Sequence, residues 1–224
     1  MRHFEEELEE LRKRLLEMSG LVEAAIYRSV HSLLDRDEEQ AQLVMQNESR
    51  INLLEIEIDE RATRLLALDQ PVASDLRFIR AASKINSELE RMGDLAVNIV
   101  GRSMSLIREA GSKPVIDIPH LATLVESMVR KALDAFVHKD AALARSVLLS
   151  DDAVDELRSS IYSDLISHME KDPSTVRPCV DLLFVVRNLE RMADHSTNIA
   201  EHVLFMVEGV DVRHHAESKS KSVV

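Results

Sequence analysis

The sequence predicts an all-α protein made of two tandem three-helix bundles, and three observations support that prediction. Apolar residues recur at helical spacing along almost the whole chain. Only 5 Gly and 5 Pro interrupt 224 residues, which leaves room for long helices. A segment of the first half also recurs in the second half, as expected of a duplicated unit.

The first half contains three predicted helices. The first begins near Phe4 and ends before Asp37, whose side chain can cap the helix that follows. The second helix ends near Leu68. Pro71 separates the second helix from the third, and the third helix extends to about Glu109.

A Gly and two Pro make segment 111–119 the best candidate for a linker between the halves. Three more helices are predicted after it, over 118–138, 141–170 and 174–208. The residues beyond them lack an apolar period, which is typical of a flexible tail. The predicted division is 1–112 for the first bundle, 117–210 for the second bundle and 211–224 for the tail.

The clearest internal repeat lies in the third predicted helix of each half. Segment 89–99 recurs as 189–199, with seven of eleven positions identical in the pattern Leu-Glu-Arg-Met-x-Asp-x-x-x-Asn-Ile. The earlier helices align at a shift of 103 residues, which matches Asp37 with Asp140. The repeat indicates duplication of a three-helix unit.

The repeated segment contains a pair of carboxylates. Glu90 and Asp94 are four residues apart, as are Glu190 and Asp194 in the second copy. On a helix such residues share one face, where two like charges cost roughly 0.2–0.5 kcal/mol. A cation that prefers carboxylate oxygens, such as Mg²⁺, Ca²⁺, Mn²⁺ or iron, would offset that cost. Other helices add two further pairs at the same spacing, Glu55 with Asp59 and Asp151 with Asp155.

The alternative is that these acids simply form solvated helix faces. With 40 acidic residues in 224, chance alone gives about seven pairs at this spacing. The repetition of the pair is what favours a shared role. The halves also differ, because the shift of 103 aligns Glu55 with Arg158 and Asp59 with Tyr162, so the two sites need not bind alike.

Composition and charge exclude several classes of function. The net charge of −12 disfavours nucleic acid, an anionic membrane surface and bare phosphate as direct ligands. No apolar run approaches the ~18 residues of a membrane span, and the chain opens without a signal-peptide pattern. The single cysteine, Cys179, fits a reducing compartment as a small buried residue. These features predict a cytoplasmic protein.

No catalytic arrangement can be found in the sequence. The sequence contains neither a Walker A loop nor a nucleophile with an adjacent base. The absence of Glu-x-x-His disfavours a di-iron bundle enzyme. His195 and His202, seven residues apart, are interpreted as polar-face histidines. We therefore predict that the protein is not an enzyme. The alternatives are a carboxylate-bridged di-metal enzyme, a metal-storage protein or a structural bundle without a ligand.

The repeated motif resembles that of the PhoU family of phosphate-transport accessory proteins. The segment Gln-Pro-Val-Ala-Ser-Asp-Leu-Arg at 70–77 and the segment 209–214 also resemble that family. The resemblance implies tandem three-helix bundles, often in homodimers. It also implies negative regulation of the phosphate-starvation response, with contacts to the ATPase of a phosphate ABC transporter and to a sensor histidine kinase. The membrane would be reached only through these partners.

The resemblance also implies a ligand set. Some members of the family bind multinuclear iron or zinc through the acidic motifs, and Mg²⁺ or Mn²⁺ would suit the same oxygens. The positions carried over are Glu90, Asp94, Glu190 and Asp194, with Glu48, Glu55, Asp59, Asp151 and Asp155 as completions.

Overall fold

A computed structural model describes residues 2–108 and 116–212, and every regular element in that part of the chain is helical. A 3₁₀ turn, Pro173–Thr175, precedes the last helix. The all-α prediction is confirmed. The helices are α1 (Arg2–Leu34), α2 (Glu38–Leu68), α3 (Ala73–Arg108), α4 (Ile118–His138), α5 (Ala141–Leu148), α6 (Asp151–Lys171) and α7 (Val176–Glu208).

The first half forms a three-helix bundle, and the second forms a similar bundle in which the middle helix is divided into α5 and α6. Helices α1, α2 and α3 pack against one another, while α4 and α7 pack with α5 and α6. The bundles meet mainly where α3 lies against α7, and α1 also touches α4. The buried apolar residues form one continuous core through both bundles. None of the described helices combines the length and apolar character that crossing a membrane requires.

The predicted helix over 141–170 differs from the structure, because it is interrupted at Leu149 and Ser150. The hydroxyl of Ser150 donates to the carbonyl of Ser146 at 2.9 Å, and Ser146 in turn donates to Leu143. At the same place the backbone N–H of Ser150 donates to the carbonyl of Val147 at 3.0 Å, as in a 3₁₀ turn. Leu149 is turned outward and is 82% exposed. The aligned stretch of α2 stays helical.

Capping confirms the alignment of the two halves. The carboxylate of Asp37 accepts bonds from the backbone N–H groups of Glu39 and Gln40, at 2.8 and 3.2 Å. Asp140 does the same for Leu143 at 2.9 Å. Both aspartates begin the second helical segment of their half, as the shift of 103 predicts.

The apolar members of the repeated motif build the core in both halves. Leucine, methionine and isoleucine of each copy are fully buried. Gly93 allows α3 to approach α2 closely, since a Cβ there would lie 3.3 Å from Cγ2 of Ile51. Burial of the apolar positions fixes the rotation of α3 and α7, and thereby directs the motif carboxylates away from the core. The buried motif residues are Leu89, Met92, Ile99, Leu189, Met192 and Ile199.

Candidate functional site

The two motif helices run antiparallel to each other. Arg77 near the start of α3 reaches the carbonyl of Met206 near the end of α7, at 3.4 Å. Near the other end of α3, Arg102 donates to Asp181 at 3.1 Å. The two copies of the motif therefore lie back to back, with one carboxylate pair beside α2 and the other beside α6.

Glu55 of α2 joins Glu90 and Asp94 of α3 in what we call the first acidic cluster. Burial raises the pKa of Glu90, and the charges of Asp94 and Glu55 and a hydrogen bond with Asp94 raise it further. The charge of Arg91 opposes these effects only weakly. Within the described residues, no lysine or arginine forms an ion pair with the three carboxylates.

The second acidic cluster consists of Asp151 and Asp155 of α6 with Glu190 and Asp194 of α7. Burial raises the pKa of Asp151, and the charges of Asp194 and Asp155 add to that effect. Burial also raises the pKa of Asp194, opposed by the nearby His195 and reinforced by Asp155. The structure thus brings together all four acids predicted for this half.

The second acidic cluster contains a cation of its own. Nη2 of Arg158 donates to Oδ1 of Asp155 at 3.2 Å. Nε of Arg158 lies 3.3 Å from Oε1 of Glu190, although the N–H is not aligned well enough with any acceptor for a hydrogen bond. The charge of Arg158 also opposes the rise in the pKa of Asp194 that burial causes. The guanidinium contacts the ring of Tyr162, 5.8 Å from its centre.

The two remaining predicted ligands lie apart from these interactions. Asp59 is exposed and accepts a hydrogen bond from the hydroxyl of Ser83 at 3.1 Å. Glu48 is half-buried and forms no hydrogen bond or ion pair within the described ranges. The acids that act most strongly on Glu90 are Asp94 and Glu55.

The described side chains can be tested against the metal that the family resemblance implies. Within 2–108 and 116–212, no three His, Cys, Asp or Glu side chains are arranged so that they could hold a metal ion. The first acidic cluster still offers only carboxylate oxygens, which suit a hard or borderline cation. The second does not fit a metal, because a guanidinium already lies among its carboxylates.

A buried polar cluster between the halves was not predicted. Nδ1 of His195 lies 2.6 Å from Oε2 of Glu88, and Asn198 donates to the same oxygen at 3.2 Å. A carboxylate can only accept, so Nδ1 holds the proton. Burial alone would raise the pKa of Glu88, but the hydrogen bonds from His195 and Asn198 hold it below its usual value.

The interpretation of His195 as a polar-face residue is therefore wrong, since only 7% of it is exposed. Its Nε2 atom is buried without a hydrogen-bond partner. The sequence contained one indication that Glu88 and His195 have a special role. The shift of 100 aligns His195 with Leu95 and Glu88 with Asn188. Both members of the pair thus depart from the internal repeat. Cys179 is buried as predicted.

These features define a class: a duplicated three-helix-bundle protein whose halves join back to back and each present a carboxylate cluster. The family model described as "PhoU domain" matches the chain twice, over residues 15–102 and 118–203. The chain belongs to the PhoU family, as its motifs predict. The family assignment is confirmed by its relatives.

Curated relatives match over nearly their whole length. The phosphate-specific transport system accessory protein PhoU homolog of Pseudomonas aeruginosa is 40% identical over 222 residues, covering 99% of this chain and 92% of that protein. The corresponding Aquifex aeolicus protein is 38% identical over 216 residues, covering 96% and 98%. Both are named accessory proteins, a designation that fits the prediction that this chain is not an enzyme.

Solved structures share the fold. The crystal structure of PhoU from P. aeruginosa superposes with a TM-score of 0.89 at 40% identity, covering 92% of this chain and all of that chain. The crystal structure of the phosphate transport system regulatory protein PhoU from Streptococcus pneumoniae superposes with a TM-score of 0.84 at 29% identity. The match covers 93% of this chain and 99% of that chain.

Proposed function

We propose that this protein is a negative regulator of phosphate uptake and of the phosphate-starvation response, and that it acts through protein contacts without catalysing a reaction. The observation that supports this most strongly is the match of both halves to the PhoU domain. The near full-length relatives named as phosphate transport accessory proteins support the same conclusion.

The proposed partners are the ATPase of a phosphate ABC transporter and a sensor histidine kinase. The protein would work in the cytoplasm, as a homodimer, and would reach the membrane only through these partners. Its net charge of −12 suits partners with basic surfaces.

The corner between α2 and α3 offers an apolar contact surface for one of these partners. Leu68 and Val72 are each 73% exposed there, and Leu76 is 44% exposed. Gln70 and Ala73 hold left-handed backbone angles, with φ of 47° and 45°. Strained residues other than glycine and clustered exposed apolar side chains both occur at functional surfaces.

Binding to the purified transporter ATPase and to the cytoplasmic part of the kinase tests the proposal. We expect Val72→Asp to weaken at least one of these interactions tenfold or more while the helical content is unchanged. Ile166→Asp, which adds the same charge to an exposed site on α6, is the control. Failure of the wild-type chain to bind either partner would contradict the proposal.

A second proposed role is binding of a divalent metal, such as iron, zinc, Mg²⁺ or Mn²⁺, at the first acidic cluster. The observation that favours it is that Glu55, Glu90 and Asp94 repel one another without a paired cation. Their side chains would have to turn towards a common point. Elemental analysis of the wild type and of Glu90→Gln/Asp94→Asn tests this role, since equal metal content in both would remove these residues as ligands.

A di-metal enzyme can be distinguished by experiment from a protein that only binds metal. Oxygen consumption by iron-loaded protein would be expected of an oxidase and not of a regulator. A turnover that disappears in Glu90→Gln/Asp94→Asn would favour the enzyme.

A further inference from the structure

We propose that Arg158 is the resident cation of the second acidic cluster, so that any metal bound by this chain is confined to the first half. The inference rests on the proposed metal role of the first acidic cluster, because it compares that cluster with its counterpart in the second half. It concerns the departure of this chain from the symmetric pair of metal sites that its duplicated motif would suggest.

The position of Arg158 is the first reason. It projects from α6 towards α7 and contacts acids on both helices, with Asp155 at 3.2 Å and Glu190 at 3.3 Å. The side chains of Arg158 and Glu190 are only 27% and 25% exposed. A guanidinium in such a setting stays protonated and presents several N–H donors to carboxylates. Arg158 therefore supplies the charge compensation that a bound cation would otherwise give.

The internal repeat provides the second reason. The aligned position in the first half is occupied by Glu55, which belongs to the first acidic cluster. The aligned position of Tyr162, whose ring contacts the guanidinium, is Asp59. One half thus has a carboxylate where the other has a positive charge, although their motif helices contain the same Glu-Arg-Met-x-Asp sequence.

Competition between the guanidinium of Arg158 and a bound metal ion is the third reason. A divalent ion among Asp155, Glu190 and Asp194 would lie within a few ångströms of the guanidinium and would be repelled by it. The oxygens that Arg158 contacts would also have to leave it before they could act as metal ligands. Since arginine does not lose its proton, this exclusion does not depend on pH.

The test uses the full chain with the first acidic cluster disabled by Glu90→Gln/Asp94→Asn. Arg158→Glu is added to this background, which introduces the residue type found at position 55. Each protein is incubated with Mn²⁺ or Zn²⁺ and dialysed. Metal per chain is then measured by elemental analysis, and the shift in melting temperature caused by the metal is measured by calorimetry.

We expect the background protein to retain no metal above a buffer blank and to show no metal-induced shift. The Arg158→Glu protein should bind about one or more ions per chain and melt several degrees higher with metal than without it. Further replacement by Asp151→Asn/Asp194→Asn should remove this gain. Arg158→Gln, which only deletes the charge, should gain less metal and serves as the variant if Arg158→Glu fails to fold.

Arg64→Glu in the same background is the matched control, because Arg64 is exposed on α2 and the substitution changes the net charge equally. The proposal is overturned if the background already binds metal that Asp151→Asn/Asp194→Asn removes. It is equally overturned if Arg158→Glu binds no more metal than Arg64→Glu. The separate comparison of the wild type with Glu90→Gln/Asp94→Asn reports on the first acidic cluster alone. Failure of the proposed metal role of that cluster can therefore be distinguished from failure of the proposal for Arg158.

Discussion

The ring of His195 on α7 donates to the carboxylate of Glu88 on α3 at 2.6 Å, and both side chains are buried between the two halves of the chain. The two residues are 107 positions apart in sequence. Their equivalents in the internal repeat, Leu95 and Asn188, have no comparable chemistry. This hydrogen bond therefore belongs to the joint between the repeats and not to the repeated unit.

His195→Leu, which introduces the residue of the equivalent position, should destabilise the protein. Glu88 would then keep Asn198 as a hydrogen-bond partner and the ion pair with Arg91 at 3.9 Å, and a buried group that loses a partner costs about 1–3 kcal/mol. Equilibrium urea unfolding at neutral pH measures the change in the free energy of unfolding.

Glu88→Asn/His195→Leu is the matched control, because it installs both equivalent residues and removes the buried charge. We expect it to recover a large part of the lost stability. A double variant as unstable as the single one would show that the hydrogen bond is not the cause.

The pKa of Glu88 also predicts how stability depends on pH. Because this pKa is lowered in the folded state, ionised Glu88 stabilises the fold above the pKa of an unfolded glutamate, about 4.3. That contribution is lost as the pH falls through the lower folded value. The difference in stability between wild type and Glu88→Gln should therefore shrink as the pH is lowered from 5 towards 3. A constant difference over that range would contradict the assignment.

Glu90 should show the opposite behaviour. Its pKa is raised in the folded state by burial and by Asp94 and Glu55, so its charge destabilises the metal-free fold at neutral pH. This penalty disappears as the pH falls through the raised value towards the unfolded one. In metal-free buffer, Glu90→Gln should add about 0.2–0.5 kcal/mol at pH 7 and nothing near pH 4.

Melting temperatures measured between pH 4 and 7 test this expectation. Glu60→Gln, on an exposed site of α2, is the control for a simple change in net charge. A Glu90→Gln protein that is less stable than the wild type at pH 7 would show that Glu90 has a favourable partner.

The capping aspartates offer a comparison between the halves. Asp37→Ala and Asp140→Ala should each cost about 0.5–2 kcal/mol. Asp37 caps two N–H groups and Asp140 caps one, so the first substitution should cost more. Thermal unfolding of both variants gives the order, and the reverse order would contradict the description of the caps.

Much of the fold could be predicted from the sequence because it depends on local regularities. The apolar period placed the helices, and the two shifts revealed the duplication together with its caps at Asp37 and Asp140. The break at Leu149 and Ser150 was missed because its serines do not mark it in the sequence. Ser19, Ser103 and Ser196 form the same bond to the preceding turn inside unbroken helices. An apolar period continues through such a bend unchanged.

The site could be predicted only in part. Spacing along a helix identified Glu90, Asp94, Glu190 and Asp194, and the second half also gathers its predicted α6 acids. The Glu88–His195 bond depends on the antiparallel contact of α3 with α7, which no local pattern encodes. The alignment with Glu55 showed only that the halves differ at Arg158, and its contact with Glu190 depends on the packing of α6 on α7.

The most direct test of the proposed regulatory role is the expression of a phosphate-starvation reporter in cells grown with abundant phosphate. Deletion of the gene for this chain should switch the reporter on, and restoring the intact chain should switch it off again. Replacement by Val72→Asp should leave it on, while Ile166→Asp should restore repression. A reporter that stays repressed in the deletion strain would contradict the account.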